Sequence, residues 1–148
     1  ALTGMEQQPC KERWLVLNAP HGQIGAAVTV GAMLRNRGFH TRLAPGSECL
    51  TSCVLVFAAG RERVLGGTPP LARLGISRVP GDADFASNQC EAEIGRAQAL
   101  TLTRYLRAML PAPTAEAVFH VMAQTDCRAH RYWRPAEVVG IGLVTRLE

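Results

Sequence analysis

The sequence has only one lysine, Lys11, although its 148 residues include 16 basic side chains and carry a net charge of +4. Its positive charge is therefore almost entirely arginine, and the arginines are scattered along the chain and do not form one stripe. Aromatic residues make up 5% of the chain, too few for a row of platforms on which bases could stack. Nucleic-acid binding requires a clustered basic patch, so we expect no nucleic-acid partner.

Long apolar runs are also missing, and none reaches the length needed to cross a bilayer. The first residues, "ALTGMEQQPCKER", are polar and lack the apolar core of a signal peptide. Hydrophobic residues nevertheless make up 47% of the chain and charged residues 19%, which is typical of a folded protein. We expect no membrane span, a tail over residues 1–12 and one compact domain over residues 13–146.

Cysteines are numerous for a chain of this size, and their odd number rules out complete internal pairing. Two disulfides and one spare cysteine would fit an oxidising compartment, so we expect a periplasmic or secreted protein whose signal peptide is not part of this sequence. The alternative is that several cysteines are small buried hydrophobes. The candidates for pairing are Cys10, Cys49, Cys53, Cys90 and Cys127.

Short apolar runs alternate with helical patterns, which predicts an α/β domain. Thr51 or Ser52 is expected to cap the second helix and Thr114 the fourth, while Pro111 ends a long amphipathic third helix. Strands are predicted at residues 14–19, 39–44, 61–66, 72–77 and 143–147, with a short extended piece at 131–134. Helices are predicted at residues 23–38, 53–60, 87–110, 113–125 and 135–142.

Four segments, in this order and at this spacing, point to a family. They are "LNAPHGQIGAAVTVGAMLRNRG", "CLTSCVLVFAAG", "ARLGIS" and "RYWRPAEVVGIGLVT". Together they resemble the Clp protease proteolytic subunit with its crotonase-like superfold, and most of all a group of small exported Clp-like proteins. The resemblance implies a single-domain α/β fold of repeated ββα units, with a long amphipathic helix after the third unit.

The resemblance also implies acyl transfer by a serine, a histidine and an acid, and it assigns a position to each. The nucleophile position falls on Thr51, the histidine position on Ser77 and the acid position on His130. A serine hydroxyl cannot act as a general base near neutral pH, and a histidine cannot play the usual role of the carboxylate. All three positions depart from the pattern, and loss of the base alone costs several orders of magnitude in rate.

The oxyanion positions implied by the resemblance are Gly22 and Ser52, and His21 stands where the family has its first glycine. His21 or His130 could instead serve Thr51 or Ser52 as a relocated base. Ser52 is one residue away from the nucleophile position, which turns its side chain by about 100° along a helix. Ser52 is therefore not a simple substitute for the expected nucleophile.

Cys49 and Cys53 flank the nucleophile position, and several interpretations stay open. A disulfide between them would pin the loop to the helix, with a Cα separation expected near the upper end of the allowed range. Each could instead pair with another cysteine. A redox enzyme is disfavoured because the spacing is Cys-x-x-x-Cys and not Cys-x-x-Cys, and a zinc site because no second pair of ligands follows. We therefore expect no metal and no cofactor.

These observations favour an exported Clp-like domain with a degenerate triad, acting as a catalytically inactive binding or assembly module. Its expected partner is an extended peptide or a protein, bound by strand addition as in the family. The alternative is a weak or atypical serine or threonine hydrolase that uses Thr51 or Ser52 with a relocated histidine. A homo-oligomer is also considered, since the family's helix after the histidine strand commonly packs between subunits.

Overall fold

The computed structural model describes residues 13–18, 24–67, 69–77, 96–125 and 131–148. Several predictions lie outside these ranges, namely the tail over 1–12 and the roles of His21, Gly22, His130, Cys10, Cys90 and Cys127. The described strands are β1 Trp14–Leu17, β2 His40–Leu43, β3 Glu48–Leu50, β4 Arg63–Leu65, β5 Arg73–Ile76, β6 Arg131–Trp133 and β7 Arg146–Leu147. The described helices are α1 Ile24–Asn36, α2 Ser52–Ala58, α3 Arg96–Met109, α4 Ala112–Gln124 and α5 Pro135–Gly140.

The described strands form two sheets. One has four parallel strands in the order β1-β2-β4-β7, and the other has the order β3-β5-β6. In the second sheet β3 and β5 are parallel, and β6 is antiparallel to β5. Parallel neighbours need a crossover, and α1 supplies the one between β1 and β2. All three residues of β4 are buried, as expected for a strand covered on both faces.

Helix α2 is the centre of the core. Six of its seven residues are buried, and Leu55, Phe57 and Ala58 have no exposed surface. A helix that is apolar all round belongs in the interior, which explains why this stretch carries no charge. Full burial of one large apolar side chain contributes about 1.5–3 kcal/mol, so this helix supplies much of the core's stabilisation.

The mixed α/β architecture predicted from the sequence is confirmed, and three details are corrected. Strand β3 was not expected, because its three residues are too few to show a periodic pattern. Thr114 does not cap α4: Pro111 occupies the cap position, and the Thr114 hydroxyl donates to the Ile141 carbonyl at 2.6 Å. Thr51 stands at the cap position of α2 but makes no side-chain capping bond, and Ser52 is already the first helical residue.

Candidate functional site

Thr51 lies at a sharp turn where β3 ends and α2 begins. Its backbone has φ 28° and ψ −79°, which is rare for a β-branched residue and costs about 1–3 kcal/mol. Two main-chain bonds hold the turn in place. The Thr51 N–H donates to the Gly75 carbonyl at 2.9 Å, and its carbonyl accepts the Leu55 N–H at 3.1 Å. The conformation is thus fixed by β5 on one side and by the helix on the other.

The Thr51 hydroxyl lies against Ser77, which follows β5 directly. The two hydroxyl oxygens are 3.1 Å apart, and the Ser77 N–H donates to Thr51 Oγ1, also at 3.1 Å. The parallel register explains the contact, because Leu50 of β3 pairs with Gly75 of β5 and the segments that follow the two strands leave the sheet side by side. The structure therefore brings together the two residues that the family resemblance assigns to the nucleophile and histidine positions.

Ser52, the other candidate hydroxyl, is buried, with 6% of its surface exposed. It lies within the first turn of α2, where Cys53 and Val54 are also buried. Thr51 is more exposed than Ser52 and has the shared contact with Ser77. Of the two hydroxyls proposed from the sequence, Thr51 is the one that this geometry places at the site.

Cys49 and Cys53 form a disulfide across the same turn. Their Cα atoms are 5.1 Å apart, well inside the allowed range and not near its upper end as the sequence spacing had suggested. Cys49 is fully buried and Cys53 is 4% exposed, and both belong to the hydrophobic core. The bridge closes a ring of five residues with Thr51 at its centre.

The surface next to this turn is built by neighbouring strands. Arg73 forms an ion pair with Glu48 at 3.3 Å, and its guanidinium lies 4.1 Å from the centre of the Tyr132 ring. A Cβ on Gly75 would lie 3.0 Å from both Leu50 and the Tyr132 ring, so a larger residue here would push these two side chains aside. Strands β3, β5 and β6 thus present one continuous row of charged and aromatic groups.

Glu137 organises the junction between β6 and α5. One carboxylate oxygen accepts the Arg134 N–H at 3.0 Å, and the other accepts the Arg131 guanidinium, also at 3.0 Å. The Arg134 N–H, followed by the Arg131 side chain, holds the pKa of Glu137 below its usual range. Because Arg131 pairs with Ile76, this carboxylate helps to fix β6 beside the strand that leads into Ser77.

The two described histidines have other surroundings. The His40 ring packs on Trp14, and its Nδ1 accepts the Glu62 N–H at 3.1 Å. His120 lies in a groove between α3 and α4, with Arg107, Glu116 and Phe119 among its neighbours.

Within the described ranges, no three His, Cys, Asp or Glu side chains are arranged to hold a metal ion. No helix in the same ranges is long and apolar enough to cross a membrane.

Comparison with known proteins identifies the fold. No family model matches the sequence, and no curated protein matches it either. Among solved structures, 1510-N, a membrane-bound stomatin-specific protease solved as a mutant in complex with a substrate peptide, superposes with a TM-score of 0.69 at 13% sequence identity. The chain has a protease-like α/β fold. The superposition covers 99% of this chain and 65% of the other, so the chain spans about two thirds of that protease's length.

Sequence reasoning missed the row formed by Glu48, Arg73 and Tyr132. These residues belong to three separate segments, and only the pairing of Glu48 with Arg73 and of Gly75 with Tyr132 aligns them. A usable signal was present in Gly75, an isolated glycine inside an apolar strand, which often marks close approach of a neighbouring chain. The pairing of β3 with β5 could not be read from residues 48–50 alone.

Proposed function

We propose that this protein is an exported Clp-like domain whose former catalytic site binds a partner without cleaving it. The observation that supports this proposal is the 3.1 Å contact between the Thr51 and Ser77 hydroxyls. In the resemblance these are the positions of the nucleophile and of its base. Here a serine stands in the base's place, and its N–H and hydroxyl both engage the threonine.

The chemistry of two hydroxyl groups explains the proposed lack of catalysis. A serine oxygen is far too weak a base to take a proton from threonine near neutral pH, so the pair can only exchange hydrogen bonds. The Thr51 methyl group also stiffens and crowds its hydroxyl. The two hydroxyls can still donate hydrogen bonds to, or accept them from, the main chain of a bound peptide.

The edge strand β3 offers a place for such a segment. Among the described strands, β3 pairs only with β5, so its other edge has no described partner. The Ser47 carbonyl and the Thr51 N–H both bond to β5. Main-chain groups alternate in direction along a strand, so those of Glu48 and Leu50 face away from β5. Glu48 is partly exposed, and an extended peptide could therefore add a strand there.

The test is peptide binding with a matched pair of variants at Glu48. Glu48→Pro removes the main-chain donor on the edge of β3 that faces away from β5, where proline is otherwise tolerated, and Glu48→Ala removes only the carboxylate. The probe is a panel of fluorescein-labelled ten-residue peptides with alternating apolar and polar residues, followed by fluorescence polarisation. We expect saturable binding by the unmodified protein and by Glu48→Ala, and a loss of about tenfold or more in Glu48→Pro. Absence of binding by the unmodified protein, or equal binding by both variants, would overturn the proposal.

A weak hydrolase is the second candidate, and the backbone of Thr51 favours it. Nucleophiles in several hydrolases stand on a strained turn from strand to helix, and the positive φ of Thr51 between β3 and α2 is such a turn. In this alternative a base other than Ser77 acts, and the candidates are His21 and His130, both outside the described residues. Covalent labelling with a fluorophosphonate probe distinguishes the two candidates.

The remaining features of the proposal follow the family resemblance. The order β2-β3-α2, followed by β4, β5 and later α3, supports a fold of repeated ββα units. The domain is proposed to extend over residues 13–146 after a tail at 1–12, and the groove between α3 and α4 is one surface on which copies of the chain could associate. The buried disulfide supports export to a periplasm or the outside of the cell.

A further inference from the structure

We propose that the Cys49–Cys53 disulfide is a redox-sensitive latch that holds Thr51 in contact with Ser77. Cys49 is the middle residue of β3, and Cys53 is the second residue of α2. The bridge therefore joins a strand to a helix across the turn on which Thr51 stands. That the latch controls partner binding rests on the proposed function. That it restrains the turn at Thr51 does not depend on the proposed function.

The turn needs restraint because its central residue is unfavourable. Thr51 is the only residue other than glycine with positive φ in the described part of the chain. If residues 49–53 relaxed towards an extended path, the end Cα atoms would move to roughly 13 Å apart. The disulfide holds them at 5.1 Å and so excludes such paths. Reduction of the disulfide makes extended conformations of residues 49–53 possible again. The turn is then held only by its hydrogen bonds, including the contact between Thr51 and Ser77.

The chemistry of opening requires a dithiol reductant, such as a dithiol oxidoreductase or dithiothreitol. One thiolate of the dithiol attacks the sulfur of Cys49 or Cys53, breaks the S–S bond and forms a mixed disulfide. The second thiol then attacks the mixed disulfide. The reductant leaves as its own disulfide, having given two electrons and two protons to the cysteines. Thr51 and Ser77 take no part in the exchange.

Because both sulfurs are buried, we expect the disulfide to be reduced slowly and the reduced cysteines to remain packed in the core. Cys49 is fully buried and Cys53 is 4% exposed, so the reductant gains access only when the turn opens locally. Once reduced, the two cysteines are small apolar side chains within a core that also contains Leu74 and Phe57. We therefore expect the reduced domain to stay folded while the Thr51 turn loosens.

The experiment measures hydrogen exchange at the Ser77 amide, whose described acceptor is Thr51 Oγ1. A Cys10→Ser/Cys90→Ser/Cys127→Ser background confines the redox change to the latch. We expect dithiothreitol to shift the Thr51 and Ser77 amide resonances and to speed exchange at Ser77 by about tenfold or more, with Val64 and Leu102 unchanged. Unchanged exchange at Ser77 would overturn the proposal, and so would uniform acceleration at all sites.

Two controls separate the latch from a general effect of the disulfide. In Thr51→Gly the acceptor is gone, so exchange at Ser77 should be equal in the oxidised and reduced proteins. Cys49→Ala/Cys53→Ala should reproduce the reduced protein, and it can be made in the otherwise unmodified chain if the triple-serine background does not fold. Failure of either control overturns the latch. Absence of peptide binding by the unmodified, oxidised protein would count against the proposed function, but it would not affect the proposed effect of the disulfide on the Thr51 turn.

Discussion

The Tyr105 hydroxyl donates a hydrogen bond of 2.6 Å to the main-chain carbonyl of Leu55. It passes over Gly31, where a Cβ would overlap the phenolic oxygen. One side chain of α3 thereby packs against α1 and bonds to α2. Burial raises the pKa of Tyr105 well above its usual range, because the phenolate would lose its hydration, although Arg35 opposes the rise.

Tyr105→Phe should make the protein's stability less sensitive to alkaline pH. The folded state holds the phenol proton above pH 10, whereas the unfolded chain loses it near the ordinary value of 10.0. The folded state then binds more protons, so its free energy of unfolding falls as pH rises above about 10. We expect Tyr105→Phe to lose about 0.5–1.5 kcal/mol at pH 8 through the missing hydrogen bond. At pH 11 this deficit should shrink or reverse, as measured by urea unfolding. A deficit equal at both pH values would contradict the assignment.

Arg63 is a buried cation, and all the described hydrogen bonds of its side chain go to main-chain carbonyls. Its guanidinium donates to Leu143 at 2.7 Å, Gly60 at 2.9 Å and Gly142 at 3.1 Å. Burial, followed by repulsion from Arg35, lowers the pKa of Arg63 to about 10, so it stays charged at neutral pH. The side chain joins the end of α2 to the segment that leads into β7.

Arg63→Met should destabilise the fold strongly, because three carbonyls lose a charged donor at once. We expect a loss of about 3 kcal/mol or more in the free energy of unfolding. The matched control is Arg73→Met, at a side chain that is 62% exposed, and it should cost at most about 1 kcal/mol. Urea unfolding of both variants at pH 7 makes the comparison. Equal losses would show that the buried bonds of Arg63 contribute no more than a surface contact.

Most of the fold could be predicted because its signals are local. The apolar run from Cys53 to Ala59 predicts a buried helix, and Gly38, with φ 75°, ends α1 where the pattern placed a stop. Strand β3 escaped prediction because only its pairing with β5 defines it. The role of Thr114 was assigned wrongly because proline precedes it and its true acceptor, Ile141, lies 27 residues away.

The candidate site could be predicted only in outline. The family resemblance placed Thr51 and Ser77 at paired positions, and the structure brings them into contact. The direct bridge between Cys49 and Cys53 was one of several open alternatives, because its geometry depends on the turn at Thr51. That turn, with its positive φ at a β-branched residue, runs against local preference and follows from tertiary contacts.

We propose that the hydroxyl pair at Thr51 and Ser77 is not a nucleophile with its base. Incubation with a fluorophosphonate probe, followed by intact-protein mass spectrometry, tests this most directly. We expect no covalent adduct on the folded protein, and none on Thr51→Ala/Ser52→Ala. An adduct of one probe mass that disappears in this double variant, and also in His21→Ala or His130→Ala, would show that the site is a hydrolase and overturn the proposed lack of catalysis.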